Sequence, residues 1–253
     1  VCRRKRRSAR WRRRFRRAFV PEVSLVRMAA SDAVVDDAVL AERLHEVYER
    51  IARAGGTDVS VLPVTKSFPV EACWAAYRAG CLAVGENYAQ EVVGKFTDAT
   101  LPFEVHFIGQ LQTNKVRALA PIVSLFGSVD RASQLSELAK RVAGARILVQ
   151  VAAAGAQGKG GCPITEVPAL VAAATAAGLS VEGLMAVGPT EGGPEAARPL
   201  FRSVRALATA LGLATCSMGM SDDLEVAVQE GSTQVRIGTA LFGERPQLHT
   251  LVR

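Results

Sequence analysis

Apolar positions along this chain switch between two periods. From Asp32 to Ala54 they fall at Val35, Leu40, Leu44, Val47 and Ile51, the stripe of an amphipathic helix, and Gly55-Gly56 closes it. Beyond that point short β-branched runs alternate with helical stretches. The pattern predicts strands at Val59–Lys66, Cys81–Asn87, Glu104–Gln110, Ser124–Asp130, Arg146–Ala153, Val181–Val187, Thr215–Met220 and Gln234–Phe242. Helices are predicted between them at Val70–Ala79, Tyr88–Phe96, Gln112–Ala120, Ala132–Ala143, Thr165–Ala177, Pro194–Leu211 and Asp222–Gln229. Such alternation implies parallel strands joined by right-handed crossovers. Eight strands point to a single-domain α/β fold, a (β/α)8 TIM barrel with an extra N-terminal helix; an open doubly wound sheet is the alternative.

Composition adds two constraints. The 253 residues are 49% hydrophobic, enough for one sizeable core, and no apolar run approaches the length of a membrane span. The net charge of +7 is unevenly spread. Residues 1–27 hold twelve Lys or Arg against the single acid Glu22, whereas the remainder holds nineteen basic and twenty-three acidic residues. The body is therefore mildly acidic, and only the basic stretch, with Trp11 and Phe15 interleaved, has the character of a nucleic-acid-binding segment. Residues 1–27 are expected to be a disordered tail, or upstream codons ahead of a true start at Met28, with residues 28–253 forming the barrel. Five cysteines without a CxxC pair suit reduced thiols and a cytoplasmic location. The three histidines show no metal-ligand spacing.

In a barrel the chemistry sits where the strands end. Strand one ends at Lys66, and a lysine carried by a buried strand must be paired, shifted in pKa or bound to something. A desolvated amine of this kind forms Schiff bases with aldehydes. Strands two, three and four end in Gly85-Glu86-Asn87, His106-Phe107-Ile108-Gly109-Gln110 and Val129-Asp130-Arg131. Ser217, Gly219, Gly238 and Thr239, after strands seven and eight, supply a hydroxyl, close backbone approach and a further donor for an anion. Ser221 is placed to cap the next helix, while Asp222 and Asp223 must turn away from any phosphate. Together these predict a phosphate-bearing aldehyde spanning Lys66 and strands seven and eight. Arg236 then faces either a pyridine nitrogen or, within the barrel, Glu86 or Asp130. Met185, Met218 and Met220 read as packing residues, and Gly155–Gly161 reads as a mobile loop lacking P-loop spacing.

These segments bear a resemblance to a known family. Val64-Thr65-Lys66, Gly85-Glu86-Asn87 with Gln90-Glu91, His106 to Lys115, Ser128-Val129-Asp130, Gly183-Leu184-Met185, Ser217 to Asp223 and Val235 to Thr239 resemble the pyridoxal phosphate (PLP) homeostasis proteins, in the family's order. The resemblance implies a type III PLP fold related to the N-terminal barrel of alanine racemase. It implies PLP as cofactor, held as a Schiff base on Lys66. Asn87 and Arg236 would lie around the ring, with Ser217, the Met218 backbone, Gly238 and Thr239 on the phosphate. Gln110 departs from the histidine of many members, and Gly160-Gly161-Cys162 from the more usual histidine-glycine-phenylalanine.

Such proteins are understood to buffer or deliver PLP, possible recipients being PLP-dependent apoenzymes, without an established catalytic reaction. The alternative is a racemase-like enzyme, which needs acid/base groups on both faces of the substrate carbon. Lys66 serves one face. The racemases' second-domain tyrosine has no counterpart here, Tyr48 and Tyr77 fall on helices away from the mouth, and Tyr88 is the one tyrosine near it. Without the racemase dimerisation domain a monomer is expected.

Overall fold

The computed structural model describes residues 36–153 and 160–244. The basic stretch, the Met28 start and most of the Gly155–Gly161 loop lie outside those residues. The described chain begins with α1 (Asp37–Arg53), capped by Asp36, whose Oδ1 accepts from the Ala38 N–H at 2.8 Å. Then come β1 (Ser60–Pro63), α2 (Val70–Arg78), β2 (Ala83–Glu86), α3 (Ala89–Phe96), β3 (Glu104–Phe107), a 3-10 turn leading into α4 (Val116–Leu119), and β4 (Leu125–Val129). The second half runs α5 (Ala132–Arg141), β5 (Arg146–Val151), α6 (Val167–Ala176), β6 (Ser180–Ala186), α7 (Arg198–Ala210), β7 (Thr215–Ser217), α8 (Leu224–Gln229), β8 (Gln234–Ile237) and α9 (Thr239–Phe242).

The eight strands are parallel, in the order β1-β8-β7-β6-β5-β4-β3-β2. A parallel bridge between Val64 and Gly85, with the Thr65 N–H donating to the Gly85 carbonyl at 3.0 Å, joins the two ends of that order. The sheet is thus nearly closed into a (β/α)8 barrel, and the open doubly wound alternative is set aside.

Strand alternation divides the apolar side chains into two layers. Val105, Phe107, Phe126, Ile147, Val149 and Leu184 point outwards and merge with the buried faces of the helices into the main core. Their inward neighbours Leu125, Leu148 and Met185 form a separate cluster with Ile108 inside the barrel. Glycines make room for it: a Cβ on Gly85 or Gly127 would lie 3.1 or 3.2 Å from Ile108. Met218 is also buried, but Met220 is 40% exposed, which corrects its reading as a packing residue.

Every strand stops short of its expected C-terminal end, strand eight by the most. Strand eight stops at Ile237, and Thr239–Phe242, predicted as its continuation, forms the helical turn α9. Strand seven stops at Ser217, because Gly219 adopts φ 93° and turns the chain. Both chain turns lie at the mouth, so the irregular backbone falls where function is expected.

Close backbone approach sets the strictest local demands. A Cβ on Gly109 would lie 1.8 Å from the Asn87 carbonyl oxygen, and one on Gly183 would lie 2.0 Å from that of Thr215. Gly109→Ala and Gly183→Ala are each expected to cost about 3 kcal/mol or more in urea denaturation. Gly94→Ala, in the interior of α3 with nothing within 4 Å, is expected to stabilise by up to about 1 kcal/mol.

Candidate functional site

β1 ends in a proline that has no N–H to donate, so its last ladder bonds are made just beyond it. The Val64 N–H donates to the Ile237 carbonyl at 2.8 Å on one side, and the Thr65 N–H to Gly85 on the other. Lys66 follows immediately, half-buried, and Ser67 after it takes a positive φ of 63°. The fully buried Thr65 donates its hydroxyl to Glu86 Oε1 at 2.6 Å. Lys95 Nζ reaches the same carboxylate at 2.7 Å, the Thr65 carbonyl at 2.9 Å and Glu91 Oε2 at 3.2 Å. Burial raises the Glu86 pKa, and Lys95 and Thr65 oppose that rise. Lys95 and its contact to Glu91 were not among the expected site residues. The i,i+4 spacing of Glu91 and Lys95 on α3 was the available signal.

The other side of the mouth is built by β7 and β8. Ser217 is buried, donates to Gln234 Oε1 at 3.0 Å and accepts from Arg236 Nη1 at 3.0 Å. Arg236 Nη2 donates to the Ala186 carbonyl at 2.9 Å, and Nη1 also reaches the Ser217 carbonyl. Burial lowers the Arg236 pKa to about 10, with the buried Asp223 acting in the opposite direction. Arg236 makes no ion pair with Glu86 or Asp130. Glu86 is engaged by Lys95, and Asp130 by Arg131 Nη1 at 2.8 Å and the Gly161 N–H at 2.8 Å.

The Met218 N–H donates to the Gln234 carbonyl at 3.0 Å, which commits it to the β7–β8 ladder. Asp222 is exposed, whereas Asp223 is buried and accepts from the Met220 N–H at 2.6 Å. Ser221 does not cap α8: the N-cap is Asp223, without a side-chain cap bond, and the Ser221 carbonyl accepts from Arg50. Gly219 is required by its own fold, since a Cβ there would meet Ala227 at 2.5 Å. Gly238 is different. A Cβ there would make only ordinary contacts with Val64, the nearest at 3.4 Å, so nothing in the protein demands a glycine.

β1 and β8 are register partners, with Pro63 opposite Ile237. Lys66 therefore emerges beside Gly238 and Thr239, and Ser217 stands on the next strand. Asn87 follows β2, and its Oδ1 is buried without a hydrogen-bond partner among the described residues. Gln110 is exposed, and Cys162 exchanges backbone hydrogen bonds with Gln150 and Ala152 beyond the end of β5.

His106 does not belong to the mouth. Its Nε2–H donates to Glu104 Oε2 at 2.9 Å, in a network with Arg146 and Glu182 at the starts of their strands. Burial lowers the His106 pKa below its ordinary 6.5, against the pull of Glu104. The unfolded chain therefore takes up the proton first, and stability is lost as pH falls from 6.5 towards the lower folded value. The urea midpoint is expected to be lower at about pH 5 than at about pH 7, and the difference to be smaller in His106→Gln.

Residues 39–246 match the family model of the alanine racemase N-terminal domain. The pyridoxal phosphate homeostasis protein of Pseudomonas aeruginosa is 43% identical, over 81% of this chain and 96% of that protein. Its namesake in Aquifex aeolicus is 39% identical, over 81% and 97%. Among solved structures, PipY of Synechococcus elongatus PCC7942 with PLP bound aligns with a TM-score of 0.71 at 29% identity, covering 81% of this chain and 100% of that one. Lysine decarboxylase from Selenomonas ruminantium shares the fold, with a TM-score of 0.60 at 19% identity over 79% of this chain and 60% of that one. A barrel of this construction, matched over most of its length by such relatives, belongs to the pyridoxal phosphate homeostasis protein family, on the alanine racemase N-terminal fold.

Proposed function

We propose that this protein binds pyridoxal phosphate at the barrel mouth and buffers it or hands it on to apoenzymes. The observation that carries the reading is the register of β1 on β8, which sets an amine beside an anion-ready turn. Three features of the chain fit the group. Gly238 leaves space that no protein atom needs, the unpartnered Asn87 Oδ1 awaits a donor, and the first N–H groups of α9, next in the chain after Gly238, have no acceptor within that turn. Gly238, Thr239 and Ser217 would hold the phosphate, with Asn87 and Arg236 around the ring. The Met218 N–H, already donating to Gln234, contributes packing rather than an anion contact. The cofactor supplies an aldehyde that condenses reversibly with the Lys66 amine. Arg236, positively charged at neutral pH, would stand near the ring, which disfavours a second charge there and restrains the electron-sink chemistry of an enzyme.

A carrier also follows from what flanks Lys66. Racemisation needs a second acid/base group, and Tyr48 and Tyr77 sit on α1 and α2, the latter packed against Trp74 and Phe103. Tyr88, 49% exposed at the start of α3, is the residue on which an enzymatic reading would depend. Cys73, Cys81, Cys162 and Cys216 are buried free thiols, which supports a reducing, cytoplasmic setting. No helix among the described residues is long and apolar enough to cross a membrane.

The test is a visible spectrum of wild type beside Lys66→Ala with added PLP, before and after borohydride. Wild type is expected to turn yellow and to carry borohydride-fixed cofactor mass on Lys66, and the variant to do neither. Wild type that stays colourless with PLP would sink the reading. Turnover of alanine or serine enantiomers that disappears in Tyr88→Phe would make the protein an enzyme instead.

A further inference from the structure

The peptide that carries Lys66 is gripped from behind by α3. On one side of Lys66, Thr65 is held twice: its carbonyl accepts from Lys95 Nζ at 2.9 Å, and its hydroxyl donates to Glu86 Oε1 at 2.6 Å. On the other side, the Ser67 N–H donates to Glu91 Oε2 at 2.8 Å. Lys95 ties these points together, bonding both Glu86 and Glu91. Ser67 at φ 63° is in the left-handed region, where a residue with a side chain stays only if its surroundings hold it there. Among the described residues one other non-glycine, Asp98, shares that conformation.

We propose that Glu91 and Lys95, acting with Glu86, are positioning residues that fix the direction in which Lys66 leaves the barrel wall. The proposal rests on the reading of Lys66 as the cofactor anchor. A lysine has four rotatable side-chain bonds, so its amine is directed only as well as its backbone is fixed. Here the residues before and after it are each held by a side chain of α3. The electrostatics favour the arrangement: Lys95, whose side chain is 11% exposed, neutralises the fully buried Glu86, leaving Glu91 to draw the strained turn at Ser67 towards the helix.

Loss of Lys95 alone would strand the buried Glu86 charge and threaten folding. The primary variant is therefore Glu91→Ala, whose side chain is partly exposed. Two readouts separate the proposal from the reading beneath it. In cofactor-free protein, amide hydrogen exchange at Ser67 is expected to accelerate about tenfold in Glu91→Ala, with Tm nearly unchanged. On addition of PLP, the rate of cofactor capture is expected to fall about tenfold, and Glu91→Gln, which keeps an acceptor oxygen, to recover to within about threefold of wild type. The double variant Glu86→Gln with Lys95→Met, which leaves no unpaired buried charge, is expected to slow capture as well. Faster Ser67 exchange with unchanged capture overturns the positioning role, and unchanged exchange overturns the grip itself. Wild type that takes up no PLP overturns the anchor reading, while the exchange result on cofactor-free protein is read independently of it.

Discussion

The closure between β1 and β2 is the constraint on which the mouth depends. An open parallel sheet would leave a row of unpaired N–H and C=O groups along each edge. Here the Thr65 N–H meets the Gly85 carbonyl while the Val64 N–H meets Ile237, so two consecutive residues are stitched to opposite neighbours. Lys66 lies one residue beyond that seam. Gly85 has no side chain at this seam, and the Leu62 and Ile108 side chains fill the space a Cβ would take. The β1–β8 ladder on the other side of β1 brings the C-terminal ends of those two strands side by side, and with them the amine and the anion-ready turn.

Charge is distributed along the barrel axis in a way that follows from desolvation. The middle is apolar, built on Leu125, Leu148 and Met185. The floor carries Glu104, His106, Arg146 and Glu182 in mutual contact, with Arg146 partly open to solvent. Towards the mouth, two buried charges are solved differently. Glu86 has an ammonium partner, because Lys95 reaches across from the following helix. Arg236 is surrounded by carbonyl oxygens and a hydroxyl, with Asp223 offsetting its charge from farther away. A guanidinium with planar, directed donors can be satisfied by neutral acceptors, whereas a buried carboxylate needs an opposite charge or several donors.

Several candidate site residues were legible in the chain because their positions follow from strand ends. Lys66, Asn87, Ser217, Gly238 and Thr239 all lie at or just beyond a C-terminal strand end, and the alternation of periods located those ends to within a few residues. The errors share one physical origin. An apolar run has the same appearance whether it continues a strand or turns into a short buried helix, so Thr239–Phe242 was taken into strand eight. His106 was grouped with the mouth because the run around it was long, although its Glu104 contact directs it to the floor.

By itself the sequence determined the eight-fold alternation, the parallel connections, the lysine at the end of the first strand and the glycines after the last two. These depend on local periodicity and on residues adjacent in the chain. Only the tertiary structure decided which charges pair: Glu86 with Lys95 rather than Arg236, Asp130 with Arg131 and the Gly161 N–H, Arg236 with the Ser217 and Ala186 carbonyls. Pairing of buried groups turns on distances of a few ångströms between segments far apart in the chain. Those distances are set by barrel closure and strand register, which no local pattern encodes.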